Sequence, residues 1–190
     1  DMTQHSAAFG CHFEIVEMCH LKLYRDQATA AQVADKLAEF QRVFTVSPEC
    51  SAHELDRAAR TAVALDTLVD RHRLGSLAYY YESTPGTPYE DIVTSVIAGN
   101  TMLTGRGVPV AGEYEIKNAQ AMKIMDAFGA GGSFSEFYAM DFDDDIVLLG
   151  HDGPGHPRIA EGQVKLVPLP VYHGKPGQGL SIEMRVKQGP

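Results

Sequence analysis

Three side chains stand where their chemistry is costly unless it is used. Glu113 ends Val110-Ala-Gly-Glu113, where a short apolar run meets a helical pattern. In an α/β sheet such a junction is where ligands bind, although a glutamate there is also favoured simply by the helix macrodipole. Glu136 lies in Gly131-Gly-Ser-Phe-Ser-Glu136-Phe-Tyr. On a strand it shares a face with Phe134, Tyr138 and Met140. A carboxylate among aromatics needs an ion or a partner; the bland alternative is an exposed face or an arginine pair. His151 closes Ile146-Val-Leu-Leu-Gly-His151 and opens Asp152-Gly-Pro-Gly-His156. An imidazole at the end of a buried strand can ligate a metal, though a lone histidine is more often only hydrogen-bonded. Two carboxylates and one imidazole at three successive strand ends suit a hard divalent ion, Mn²⁺ or Mg²⁺, better than a structural zinc.

Other candidates carry less. His5, in Thr3-Gln-His-Ser, could line a pocket but reads as a solvated terminal histidine. His12 and His20 read as structural, Asp143-Asp-Asp145 as a solvated acidic turn, and His173 as part of a surface turn. The Gly129-Ala-Gly-Gly132 run lacks the lysine and serine of a phosphate loop. Cys11, Cys19 and Cys50 are odd in number and lack zinc-ribbon spacing, so they read as reduced, mostly buried thiols.

The elements that must position these groups alternate. Residues 12–18 alternate apolar and polar, like a strand. Thr29-Ala-Ala-Gln32 is a capping box opening a helix to about residue 44. Ser51-Ala-His-Glu54 opens a second, over residues 52–73, which Gly75 ends. Residues 77–81 read as a strand. Thr87-Pro88 starts a helix to about Leu103, broken at Gly105. A strand over 108–110 and a helix over 114–128 follow. From there 134–142, 146–151, 163–169 and 180–187 read as strands. The expected fold is α/β: a parallel sheet flanked by helices over residues 1–130, then a smaller β-rich, antiparallel segment over 131–190 that begins a further domain.

Composition narrows the partners. The 190 residues are 44% hydrophobic and 22% charged, a globular balance. With 25 acidic against 16 basic residues the net charge is −9, which argues against nucleic acid. The apolar runs are too short to span a bilayer, so no membrane partner is expected and the reading is a cytoplasmic one. The ends, Asp1-Met2 and Gly189-Pro190, do not read as natural termini, so a piece of a longer chain is expected.

Ala111-Gly-Glu113, Gly132-Ser-Phe-Ser-Glu136-Phe-Tyr, Leu149-Gly-His151 and the helix between the glutamates together resemble the L-arabinose isomerase family, with the related L-fucose isomerases. The resemblance spans the chain and is only general before Glu113. It implies that Glu113, Glu136 and His151 bind Mn²⁺ or another divalent cation. It also implies that the glutamates act as acid and base in an aldose–ketose exchange through a cis-enediol. The Asp152-Gly-Pro-Gly-His156 continuation departs from the arabinose isomerase pattern and looks closer to fucose isomerases. The family's second histidine ligand and its N-terminal domain have no match here. The chain would then be a middle domain plus the start of a C-terminal one, from a trimer or hexamer acting on a small-molecule sugar, and inactive alone. The alternative is a non-catalytic scaffold, oligomerisation or sugar-binding domain.

Overall fold

A computed structural model describes residues 2–172, 175–176 and 179–188, with the backbone alone at 171–172 and 175–176. The chain is a mixed α/β fold. Its helices are α1 Met2–Phe9, α2 Met18–Asp26, α3 Ala30–Val43, α4 Ala52–His72, α5 Pro88–Val93, α6 Ile97–Gly105 and α7 Ile116–Ala127. Strands β1 Phe44–Val46 and β6 Val164–Pro168 pair in parallel, and β9 Leu180–Glu183 joins β6 antiparallel. β2 Leu77–Ala78 and β3 Val110–Ala111 form a second parallel pair. β4 Glu136–Asp141 and β5 Ile146–Gly150 form an antiparallel hairpin, as do β7 Val171–Tyr172 and β8 Lys175–Pro176.

Local chemistry explains the helix starts. Thr29 accepts from Gln32 N while the Gln32 side chain accepts from Thr29 N, completing the capping box. Ser51 accepts from Glu54 N at 3.1 Å. α4 ends at Arg73, which takes the left-handed turn (φ 52°) expected of Gly75.

The helix expected from 87 to 103 is two helices. Thr94 and Ser95 turn their hydroxyls back onto the carbonyls of Glu90 (2.7 Å) and Asp91 (2.8 Å). Hydroxyls that bond the backbone locally compete with the helix ladder. Buried Arg57 then fixes the break: it donates to Asp91 Oδ1 at 2.6 Å, Asp91 O at 3.0 Å and Thr94 Oγ1 at 2.7 Å.

Residues 12–18 are not a strand. Residues 10–17 run without regular structure, and Met18 already opens α2. Their alternation finds no neighbouring strand. Glu14 instead accepts from His72 Nδ1 at 2.5 Å, and Val16 packs on the core. The expected boundary at residue 130 runs through a shared core: Val33, Phe40, Phe44, Ala58 and Ala62 pack with Ala160, Val164, Leu166 and Leu180. Among the described residues no helix is long and apolar enough to cross a membrane.

α4 and α6 are in close contact at Gly99. A Cβ there would lie 2.8 Å from Leu65 Cδ1 and 3.0 Å from Ala62 Cα. Helix propensity alone favours Gly99→Ala by about 1 kcal/mol, but a backbone atom cannot yield as a side-chain tip can. We expect overpacking to win, so that Gly99→Ala lowers unfolding free energy in urea by about 1–3 kcal/mol. A stabilised variant would show that the two helices separate at little cost.

Candidate functional site

The two short parallel strands aim their carboxyl ends at one place. Tyr79 and Tyr81 follow β2; Gly112 and Glu113 follow β3. The loop after β5 brings His151, Asp152 and Gly153 against them. With Ile97 these residues line a cavity of about 10 Å³. That is room for one water-sized guest, an ion or a single oxygen. Its position outside the carboxyl ends of parallel strands is where α/β sheets bind ligands.

Glu113 is held there under strain. Both Glu113 (φ 58°) and Tyr114 (φ 57°) are left-handed, a conformation that costs non-glycine residues about 1 kcal/mol or more each. Tyr79 clamps the turn from both sides: its N–H donates to Ala111 O and its carbonyl accepts from Tyr114 N, each at 3.0 Å. The Tyr114 ring stacks on Tyr80, 5.2 Å between centroids and 12° apart, at the rim.

His151 stands edge-on to buried Phe134, 4.5 Å between centroids at 89°. Its Nδ1 accepts from Gly153 N at 3.2 Å, so the neutral ring carries its proton on Nε2. A metal on either nitrogen requires this bond or this tautomer to be exchanged, since a ligating histidine donates its other N–H.

Glu136 is not on the cavity wall. It opens β4, half-buried, and pairs with Gly150, one residue before His151. The register shifts between Phe137 and Ala139, so Tyr138 is left out of the pairing and lies over Gly150. The expected aromatic face around Glu136 therefore reduces to Phe134, which is buried, while Tyr138 and Met140 are exposed.

Asp152 is the site residue that sequence reasoning missed. Its charge reaches both sides of the site: it raises the pKa of Tyr79 together with Glu113, and that of Tyr138 together with Glu136. In each case burial is the larger cause, and for Tyr79 a hydrogen bond from Asn100 opposes the rise. Its only sequence signal was its place directly after His151.

Glu113, Asp152 and His151 are the donor types a hard divalent ion takes, around a space of the right size. The fit is one of donor type and volume. Among the described residues no group of three or more His, Cys, Asp or Glu side chains is arranged to hold a metal ion.

The weaker candidates sort differently. His5 is buried on α1, between Phe9 and Phe13, and bonds to Gln120 of α7, so it is not a solvated terminal group. His12 and His20 are exposed, as are Asp143, Asp144 and Asp145. His173 lies outside the described residues. The cysteines are free, and only Cys50 is buried; Cys19 is exposed. No family model matches the chain, and a search of curated proteins finds no match.

Two predictions follow from the loop after β5. A Cβ on Gly153 would stand 2.3 Å from His151 Cε1 and 2.7 Å from its Nδ1. Gly153→Ala must therefore displace the imidazole, and we expect large shifts of the His151 ring resonances in NMR with the distant core unchanged. An unmoved ring would mean the loop shifts instead. The second concerns His156, fully buried under this loop, which accepts from Arg158 N at 3.2 Å and faces Asp126 at 3.4 Å. Burial, the largest cause, lowers its pKa below 6.5; the bond to Asp126 opposes this and nearby Arg158 adds to it. The folded state thus prefers the neutral ring. Its contribution is intact above the unfolded pKa of about 6.5 and is lost as pH falls from there toward the folded value. The expected result is a Tm that drops between pH 7 and 5, with a shallower drop in His156→Asn. Parallel curves would refute it.

Proposed function

We propose that this chain carries the carboxylate-bearing part of a metal-dependent aldose–ketose isomerase, of the kind its Glu113, Glu136 and His151 segments resemble. One observation carries the reading. Glu113 and His151, 38 positions apart in sequence, face one ion-sized cavity at the ends of parallel strands, with Glu113 kept there in a strained backbone conformation.

The resemblance assigns the ion to Glu113, Glu136 and His151; of these, Glu113 and His151 line the cavity, with Asp152 beside them, and Glu136 would have to be brought to it from the start of β4. Mn²⁺ bound there would polarise the sugar carbonyl as a Lewis acid. The protein's own groups move the protons. One of Glu113 and Glu136 removes the proton from the carbon beside the carbonyl and the other delivers one to the former carbonyl carbon, while the proton of the adjacent hydroxyl passes to the former carbonyl oxygen. The species between is a cis-enediol. Asp152 adds negative charge that draws a cation into the cavity. Tyr79, Tyr81 and Ile97, which line the cavity, would shield it from water. The proposed partners are a small-molecule sugar and further copies of the chain, in a cytoplasmic setting.

A second reading, a non-catalytic assembly scaffold, is favoured by the β4–β5 hairpin. Phe137, Phe142, Ile146, Val147, Leu148 and Leu149 are all exposed on it. Such a surface suits oligomer contact. Titration calorimetry with MnCl₂ separates the readings, since a scaffold takes up no ion.

For the isomerase reading, Glu113→Gln is expected to weaken Mn²⁺ binding. In the full-length enzyme it should also cut aldose-to-ketose conversion by about 10²–10⁴-fold, the usual worth of an acid–base group. The assay is ketose formation from a panel of aldopentoses and 6-deoxyaldohexoses. Turnover and Mn²⁺ affinity that survive in both Glu113→Gln and Glu136→Gln would remove the assignment.

A further inference from the structure

Three tyrosine rings run outward from the cavity, and no proton transfer involves them. Tyr81 lines the cavity itself. The Tyr80 ring lies 4.8 Å from that of Tyr81, tilted by 35°. Tyr114 stacks on Tyr80 at 5.2 Å and 12°. The strip thus starts at the wall that Glu113 and His151 share and ends in solvent, where Tyr114 is 67% exposed. Burial does not explain that outermost ring. Tyr114 has left-handed backbone (φ 57°), which a bulky residue adopts only at a cost. An exposed side chain returns little of that cost. The bond from Tyr114 N to Tyr79 O fixes the backbone, and the stack on Tyr80 fixes the ring.

Flat rings set in advance at a cavity mouth suit a ligand with an apolar face and polar edges. A sugar ring is built that way: C–H groups cover one face and hydroxyls surround it. Tyrosine matches both parts, because its apolar ring carries a phenol at the tip. Charge narrows the occupant further. The segments that carry the rings, 77–82 and 110–116, hold Glu82, Glu113 and Glu115, all exposed, and no lysine or arginine. A nucleotide or other anion is disfavoured there. A neutral polyol is favoured, because its hydroxyls donate to carboxylates.

We propose that Tyr80 and Tyr114 form a stacking subsite for a sugar in its ring form, at the mouth of the ion cavity. The C–H face of the ring lies on the exposed tyrosines, and Tyr81 leads from them to Glu113. The subsite rests on the isomerase reading for the class of its ligand. It lies outside the space of about 10 Å³ that the ion takes, so sugar and ion do not compete for room.

The probe is methyl α-L-arabinopyranoside, whose ring cannot open, so that it binds without being turned over. Arabinitol is the open-chain control. Proton NMR of each is recorded against the whole chain in MgCl₂. The ring C–H resonances of the pyranoside are expected to move upfield, as protons above an aromatic ring do, and those of arabinitol to stay. Tyr114→Phe keeps the ring and should keep the shift. Tyr114→Gly removes the ring and relieves the left-handed strain, so its Tm should equal or exceed that of wild type. It should nevertheless bind the pyranoside about tenfold more weakly, the upper worth of one aromatic contact. Tyr80→Leu, which leaves the turn unchanged, should weaken binding as much. No upfield shift with wild type, or unchanged binding in Tyr80→Leu and Tyr114→Gly, overturns the subsite whatever the turnover. A wild-type chain that stacks the pyranoside but takes up no Mn²⁺, with no aldose converted by the full-length enzyme, overturns the isomerase reading and leaves the subsite standing.

Discussion

Two main-chain hydrogen bonds at Tyr79 decide where Glu113 sits. They extend the β2–β3 ladder beyond its two paired residues and fold the Gly112–Tyr114 turn back onto it. The turn is closed by Glu115 N donating to Gly112 O at 2.9 Å, and the two Tyr79 bonds fix it against β2 even though glycine alone occupies the left-handed region without cost. The strain is carried by what lies beneath: Val110 and Ala111 are buried, and Ala111 packs with Ala119, Met122 and Phe134. Phe134 in turn supports the His151 ring. One small apolar cluster thus sets both the carboxylate and the imidazole.

That cluster stands on the helical layer. α6 lies against α4 at the distance Gly99 permits, and Thr104 of α6 accepts from Val110 N at 3.1 Å. The break before α6, pinned by Arg57, therefore has a positional consequence: a continuous helix from Pro88 would not leave α6 free to take this direction. Burying a guanidinium is costly unless its donors are met, and Arg57 meets them with Asp91, Glu54 and Thr94.

What the sequence disclosed was local, and what it hid was long-range. The capping residues at Thr29 and Ser51 named their helices because a cap is written within four residues. Glu113 and His151 were legible for a similar reason: each ends an apolar run. β1 was not legible. Phe44 read as the end of a helix and Thr45–Val46 as no element, and only pairing with Val164–Leu166, far along the chain, makes them a strand. Alternation at 12–18 misled for the converse reason, a strand pattern with no partner. α1 was missed because its packing depends on His5 reaching Gln120. Asp152 was invisible as a site residue, since its place in the cavity comes from neighbours brought by other elements. The helix break at Thr94 was legible in principle, in adjacent Thr and Ser hydroxyls, but propensity and periodicity outweighed it.

The position of Glu136 and the bareness of the hairpin are one fact. β5 is apolar on both faces, the pattern of a strand covered from both sides, yet Val147 and Leu148 face outward about as much as each other. A two-stranded ribbon has little stability of its own. Whatever covers β4–β5 sets its tilt, and Glu136 is its first residue. Glu113 is fixed by β2, β3 and the cluster beneath, so it reaches the cavity with the chain as described. Glu136 is fixed on one side only, by Gly150. A cover on the hairpin would therefore govern the distance between the two glutamates more than the core does. A change on the outer face of β5 should thus act on the site through Glu136 while leaving Glu113 and His151 in place.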